Sequence, residues 1–158
     1  YQKGFPWEYD IKNEGYNYRI DELRSNLGYN QLKRIRKINL LRKKASDYYY
    51  QKLKNIEGIA FQNISKNNQS AHHLYVIRIK ENFGINRNNI YKKLLKKGIQ
   101  TSVHYKPLHM FSLFKNYKNK ELQNSKKLFD EILSLPLYTG ITKKHQDLVI
   151  KELISTKF

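Results

Sequence analysis

The sequence contains no cysteine, so disulfide bonds and thiolate metal sites are excluded, and a reducing cytoplasm fits the chain. It also lacks any run of about 18 apolar residues, which a membrane-spanning helix needs. Its first residues, YQKGFPW, do not form the apolar core of a signal peptide. With 39% hydrophobic residues, the 158-residue chain can still build one core. We therefore expect a soluble, cytoplasmic globular domain.

Methionine is almost as scarce as cysteine. Met110 is the only one, and the chain begins at Tyr1. Because a natural open reading frame does not begin with tyrosine, we expect the sequence to be a fragment from which an upstream part is missing.

Acidic residues are few: 13 Asp and Glu stand against 31 Lys and Arg, which gives a formal net charge of +18. A basic surface often marks a nucleic-acid or anionic-membrane partner. Here the lysine pairs are spread along the chain beside apolar residues at helical spacing, which is typical of solvated helix faces. No nucleic-acid-binding motif accompanies them, so we do not expect a nucleic-acid partner. A phosphate-bearing small ligand would use part of the charge.

The pattern of apolar residues favours a mixed fold. Apolar residues three or four apart predict one long amphipathic helix over 21–54. Strict alternation predicts a half-buried strand over 74–80, with Tyr75, Ile77 and Ile79 on one face. Weaker patterns predict strands at 59–64, 99–105 and 135–137, and helices at 88–97, 121–133 and after an N-cap at Thr142. This order favours the α+β class, with a three- to four-stranded, mostly antiparallel sheet and flanking helices.

Most sequence signatures of catalysis are missing. There is no Gly-rich phosphate loop, no nucleophile elbow and no spaced carboxylate pair of the glycosidase kind. His104 and His109 flank residues 105–108 directly after a predicted strand, where a Pro-containing loop presents side chains to a ligand. No carboxylate lies close to this pair in the sequence, so we do not expect a metal site. The residues alone indicate a candidate anion site near His104, with a packing role for both histidines as the alternative.

Four sequence blocks occur in one order along nearly the whole chain. They are GYNYRIDELR at 15–24 with LGYNQL at 27–32, SAHHLY at 70–75, GIQTSVHYKPLH at 98–109, and LPLYTGIT at 135–142. Together these blocks resemble the DegT/DnrJ/EryC1/StrS family of sugar aminotransferases. One block alone is weak evidence, whereas all four in order form a specific pattern.

The resemblance implies a homodimeric, fold-type-I (aspartate-aminotransferase-like) enzyme that depends on pyridoxal phosphate. Its large domain would lie upstream and carry the lysine that forms an imine with the cofactor. Residues 1–19 would then be a remnant of the large-domain side, 20–55 the connecting helix, and 56–158 the small C-terminal domain. No lysine of this sequence occupies a recognisable context for the imine, so we expect the isolated chain to be inactive.

The resemblance also implies roles for five residues. Asn17 would bind the cofactor phosphate of the neighbouring subunit, since its amide donates to phosphate oxygens. Arg19 would offer a planar fork to the nucleotide pyrophosphate, with helix-end packing as its alternative role. His104 and Tyr105 would approach the sugar and its phosphates, and His109 would support their loop. No catalytic residue and no metal ligand is expected within the chain.

The leading functional hypothesis is that the parent protein moves an amino group, from glutamate, to a keto-sugar nucleotide for amino-sugar and cell-surface polysaccharide biosynthesis. A dehydratase of the same family, with histidine in place of the cofactor lysine, is the enzymatic alternative. The non-enzymatic alternative is a basic module that dimerises or binds anionic partners, for which salt-resistant binding to heparin or DNA would be the evidence.

Overall fold

The computed structural model describes residues 15–16, 18–65, 67–117 and 122–157. In chain order the elements are α1 (Glu22–Leu53), β1 (Ile59–Phe61), β2 (Tyr75–Ile79), α2 (Arg87–Lys96), α3 (Gln123–Glu131), β3 (Ile132–Leu135) and α4 (Lys143–Ser155). Short 3₁₀ turns occupy Glu81–Phe83, Leu108–Met110 and Ser112–Tyr117. No helix within these described ranges is long and apolar enough to cross a membrane.

The chain divides into two compact units, Tyr1–Ile35 and Arg36–Phe158. The first unit contains the beginning of α1, where the Asp21 carboxylate accepts a 2.8 Å hydrogen bond from the Arg24 backbone N–H. A side-chain oxygen at this position satisfies one of the free N–H groups of the first turn. Helix α1 agrees with the predicted helix to within one residue at each end. The domain boundaries drawn from the sequence stay predictions.

The second unit is built on a three-stranded antiparallel sheet in the order β1, β2, β3. Strand β2 lies in the middle, and its alternate residues Tyr75, Ile77 and Ile79 are buried. Alternation with a period of two places these three side chains on one face of the sheet. Their partners on β3, Leu133 and Leu135, are buried as well. The predicted α+β class with a small antiparallel sheet is confirmed.

The core of the second unit joins strand residues to three helices. The helical members are Tyr49 and Leu53 of α1, Ile90 and Leu94 of α2, and Val149, Ile150 and Leu153 of α4. Full burial of one such side chain contributes about 1.5–3 kcal/mol to stability. Burial raises the pKa of the Tyr49 hydroxyl, which donates to the Pro136 carbonyl at 3.1 Å. The core thereby fixes the chain directly after β3, where the candidate site lies.

Helix α2 buries a narrower stripe than its sequence predicts. The spacing predicts that Ile90, Tyr91, Leu94 and Leu95 all face inward, but Tyr91 is 37% and Leu95 48% exposed. Residues four apart share one helix face, and the next pair along is rotated by about 100°. Only the Ile90 and Leu94 stripe is therefore covered. The helix ends one residue earlier than predicted, at Lys96, with Lys97 at the C-cap and Gly98 next at a φ of 74°.

Three predicted elements differ from the structure, and in one of them, the strand predicted at 135–137, only Leu135 belongs to β3. Residues 99–105 make one isolated β-bridge, between Ser102 and Ser134, and not a strand. Pairing of these residues with the chain after β3 is blocked at Pro136, because proline has no backbone N–H to donate. The helix predicted over 121–133 ends at Glu131, and the chain continues as β3 because residues 132–135 pair with β2. Residue 121 lies outside the described residues.

The junction between α3 and β3 is held by an ion-pair network centred on Glu131. Its carboxylate lies 2.7 Å from the Arg78 guanidinium and 3.1 Å from the Lys80 ammonium group. Partial burial by itself raises the pKa of Glu131, but the hydrogen bonds and charges of Arg78 and Lys80 outweigh burial, so its pKa lies below the ordinary value of 4.5. The folded protein therefore favours the ionised carboxylate.

We expect Glu131→Gln to destabilise the protein by about 1–2 kcal/mol at neutral pH, since it leaves two half-buried cations without their counterion. Because the folded pKa is depressed, the Glu131 contribution is fully present above about pH 4.5 and is lost as the pH falls through the folded pKa. Urea unfolding of both proteins at several pH values measures the difference. Glu57→Gln is the control, since the Glu57 side chain is 71% exposed and its pair with Lys157 spans 3.9 Å. A difference independent of pH would contradict this account.

Candidate functional site

A cavity of about 190 Å³ lies at the end of β3, and we call it the His104 cavity. Its walls are residues 73–74, 100–102, 104 and 134–137. Apart from Ser134, these residues come from three of the four sequence blocks, which are distant from one another along the chain. Ser102 and Ser134 form a β-bridge, with backbone hydrogen bonds of 3.2 and 2.8 Å. This bridge holds the wall residues 100–102 and 104 beside β3.

The His104 imidazole is oriented by Ser134. The His104 Nδ1 atom lies 2.8 Å from Ser134 Oγ, and Ser134 is only 5% exposed. No other described group is hydrogen-bonded to the Ser134 hydroxyl, and a buried O–H without an acceptor is costly, which favours Ser134 as the donor and Nδ1 as the acceptor. If Ser134 donates to Nδ1, the neutral ring carries its own proton on Nε2. His104 then offers an N–H donor to a ligand and does not act as a base through Nε2.

The other predicted residues of this loop lie outside the walls of the cavity. Tyr105 is 75% exposed, and its ring meets the His104 ring edge to face at 4.8 Å. His109 is half-buried in the 3₁₀ turn Leu108–Met110. The structure therefore brings His104 and Tyr105 together, with His104 in the wall and Tyr105 facing outward beside it.

The predicted residues before α1 belong to the first unit. Arg19 is exposed, and it makes no hydrogen bond or ion pair with the described residues of 15–35. Asn17 lies outside the described residues. The roles assigned to Arg19 and Asn17 stay predictions.

Among the wall residues that sequence reasoning did not assign to the site are two with buried hydroxyl groups, Ser134 and Thr101. Ser134 sits next to a segment that the sequence assigns to a helix, so nothing local indicates its contact with His104. Thr101 is 6% exposed, and its hydroxyl has no partner among the described residues. It lies within the third sequence block, which is the only signal that pointed to it.

The donor set of the His104 cavity does not fit pyridoxal phosphate. The cofactor needs an imine-forming lysine and a charged partner for its pyridine nitrogen. Among the lining residues, all of which lie within the described ranges, none is a lysine or a carboxylate. Nor do three or more metal-ligating side chains meet in the part of the chain that is described. The Nε2 atom of His104, which is not engaged by Ser134, suits a hydroxylated or phosphorylated ligand.

Comparison with known proteins points to one family. Residues 3–154 match the DegT/DnrJ/EryC1/StrS aminotransferase family. The chain is 29% identical over 150 residues to the UDP-4-amino-4,6-dideoxy-N-acetyl-beta-L-altrosamine transaminase of Campylobacter jejuni, covering 94% of this chain and 40% of that protein.

Solved structures agree with the sequence comparison. Helicobacter pylori PseC, an aminotransferase involved in the biosynthesis of pseudoaminic acid, superimposes with a TM-score of 0.82 at 25% identity, over 98% of this chain and 42% of PseC. The PLP-form of the putative sugar aminotransferase Spr1654 from Streptococcus pneumoniae gives 0.80 at 28% identity, over 96% of this chain and 39% of Spr1654. The chain spans about 40% of the length of the curated relatives it matches.

Proposed function

Since this chain belongs to the DegT/DnrJ/EryC1/StrS aminotransferase family, we propose that the whole protein transfers an amino group from glutamate to a keto-sugar nucleotide with the help of pyridoxal phosphate. The observation that carries the proposal is the family match over residues 3–154, which includes all four sequence blocks. The Campylobacter jejuni relative, a transaminase of a UDP-linked amino sugar, supports the substrate class. A cytoplasmic location, which the absence of cysteine favours, belongs to the same proposal.

In this proposal the 158 residues supply part of the substrate site. The His104 Nε2–H group donates to an oxygen of the sugar or its phosphates. Tyr105, exposed beside His104, covers the ligand from the solvent side. The cofactor lysine is assigned to a part of the protein other than these residues, because no lysine lines the described cavity. Pyridoxal phosphate, when bound there, supplies the carbonyl group that carries nitrogen between the two substrates.

A homodimer is part of the proposal, and the first unit supports it. Ile20, Leu23, Leu27 and Leu32 are each more than 60% exposed. Several large apolar side chains exposed along the start of one helix are typical of a surface that another protein covers. Asn17, directly before this helix, is proposed to reach the cofactor phosphate of the neighbouring subunit, and Arg19 to bind the nucleotide pyrophosphate.

The proposal is tested by an assay of the full-length protein with pyridoxal phosphate, glutamate and a UDP-linked 4-keto-6-deoxy sugar. We expect release of 2-oxoglutarate in step with a sugar product that has gained one nitrogen, as mass spectrometry of the product measures. A keto-sugar that loses water and gains no nitrogen would assign the protein to the dehydratases instead. A full-length protein that binds no pyridoxal phosphate would reject both enzymatic hypotheses.

A further inference from the structure

The sequence blocks that form the His104 cavity are almost free of full charges. The blocks at 70–75, 98–109 and 135–142 contain no aspartate or glutamate, and Lys106 is their only lysine or arginine, although the whole chain has 31 among 158 residues. The described lining residues include no lysine, arginine, aspartate or glutamate. Because a charge placed among neutral groups is costly, the cavity suits the uncharged part of a ligand. A negatively charged part can pair with Lys106.

Lys106 lies where the chain leaves the wall of the cavity. Exposure rises along this segment, from the buried Thr101 through the half-buried His104 to Tyr105, which is 75% exposed, and Lys106 is exposed as well. The Cα atoms of His104 and Lys106 are at most about 7.6 Å apart, because two peptide units join them. The Lys106 side chain therefore starts at the mouth of the cavity, close to the ring that is proposed to contact the ligand.

A short turn holds the Lys106 ammonium group over an aromatic ring. The Pro107 carbonyl accepts a 3.0 Å hydrogen bond from the Met110 N–H, and the Leu108 carbonyl accepts one of 3.0 Å from the Phe111 N–H. Across this turn the Lys106 Nζ atom lies 4.8 Å from the centre of the Phe111 ring. The attraction between a cation and an aromatic face favours this position of an otherwise flexible side chain.

The positive charge of Lys106 is not neutralised within the described part of the chain. No described carboxylate pairs with its ammonium group, whose one described contact is the Phe111 ring. An ammonium group has three N–H donors, and contact with a ring leaves donors free for an anion. Lys106 thus offers a positioned, uncompensated charge beside a neutral cavity.

We propose that Lys106 binds the phosphate group attached directly to the sugar of the substrate, while the His104 cavity holds the uncharged sugar ring. The inference rests on the proposed function, since it takes a nucleotide sugar as the ligand. A compact ammonium charge with several donors suits the oxygens of a phosphate. Lys106 thereby distinguishes a sugar nucleotide from a free sugar, which brings no anionic partner to the ammonium group.

The test compares the binding of UDP and UMP to the full-length protein by isothermal titration calorimetry. The two nucleotides differ only in the phosphate to which a nucleotide sugar attaches its sugar. We expect Lys106→Gln to weaken UDP binding about five- to twentyfold and UMP binding less than twofold, as the loss of one charge-assisted hydrogen bond predicts. Lys106→Arg, which keeps the charge, should retain most of the UDP affinity. Lys92→Gln is the matched control, because it removes one positive charge from an exposed position of α2, and it should bind both nucleotides as the natural protein does.

Phe111→Leu tests the contribution of the ring. It removes the aromatic face but keeps an apolar side chain, so we expect UDP binding to weaken about two- to fivefold. Added to Lys106→Gln, the same substitution should weaken UDP binding no further, because the ring acts through the lysine.

Two results would overturn the inference and leave the proposed reaction standing. Equal weakening of UDP and UMP by Lys106→Gln would mean that the substitution disturbs the loop as a whole. Unchanged UDP binding would mean that Lys106 does not meet this phosphate. A natural protein that binds neither nucleotide would reject the inference together with the nucleotide-sugar substrate of the proposed function.

Discussion

Replacement of Gly58 by alanine is expected to destabilise the protein by about 3–5 kcal/mol, from left-handed backbone strain and overpacking together. Gly58 has a φ of 82°, a region that residues with a Cβ atom rarely adopt. A Cβ placed there would lie 2.4 Å from the backbone N and Cα of Phe83. Phe83 is fully buried, and the Gly58 carbonyl accepts a 2.8 Å hydrogen bond from the Lys80 N–H. Movement of Phe83 would therefore disrupt the core, and movement of Gly58 would break its hydrogen bond with Lys80.

Gly84→Ala is the matched control for this prediction. Gly84 has a φ of 89°, almost the same backbone conformation, but a Cβ there would meet no atom within 4 Å. It should cost only the strain of the left-handed backbone, about 1–2 kcal/mol. Urea unfolding of the two variants and the natural protein gives both free energies. Equal destabilisation by the two substitutions would mean that the contact with Phe83 carries no energy, contrary to this account.

The parts of the fold that sequence predicted well are those in which one local period decides the outcome. In β2 a period of two puts Tyr75, Ile77 and Ile79 on one face, and no other element competes for those residues. In α2 the local pattern identified the helix but not how much of it is covered. Tyr91 and Leu95 are apolar enough to face inward, yet coverage depends on neighbouring elements that the local pattern does not contain.

The parts that sequence missed depend on contacts between distant residues. Ile132–Leu135 continues a helical spacing but forms β3, because its backbone pairs with Tyr75–Arg78 more than 50 residues earlier. The bridge between Ser102 and Ser134 then places Ser134 beside His104, 30 residues away in the chain. The sequence blocks therefore identified His104, whereas the hydroxyl that is hydrogen-bonded to its Nδ1 atom became apparent only with the sheet. Arg19 and Asn17 rest on the resemblance alone.

The largest expected effects on activity concern the Nε2–H group of His104 and depend on the proposed function. A glutamine side chain puts an amide N–H near the position of Nε2, whereas the shorter asparagine puts it near Nδ1. We expect His104→Asn to lower kcat/KM for the nucleotide sugar about 10- to 100-fold, as loss of a hydrogen bond to a charged or strongly polar oxygen predicts, and His104→Gln to lower it less than tenfold. Steady-state kinetics of the full-length protein with pyridoxal phosphate and glutamate measures both values.

Substitutions of Ser134 distinguish a hydrogen bond that orients the His104 ring from simple packing of the two side chains. Ser134→Ala should reduce kcat/KM several-fold through KM, because the ring loses its orienting donor while the Nε2–H group survives. Ser134→Thr, which keeps a hydroxyl at the same carbon, should restore most of the loss. His145→Gln, at an exposed histidine of α4, is the control for the exchange of an imidazole for an amide and should leave the rate unchanged. If asparagine at position 104 performs as well as glutamine, then Nε2 is not the donor. The proton assignment made from the Ser134 contact would then be reversed, with Nδ1–H donating to Ser134 and Nε2 accepting from the ligand.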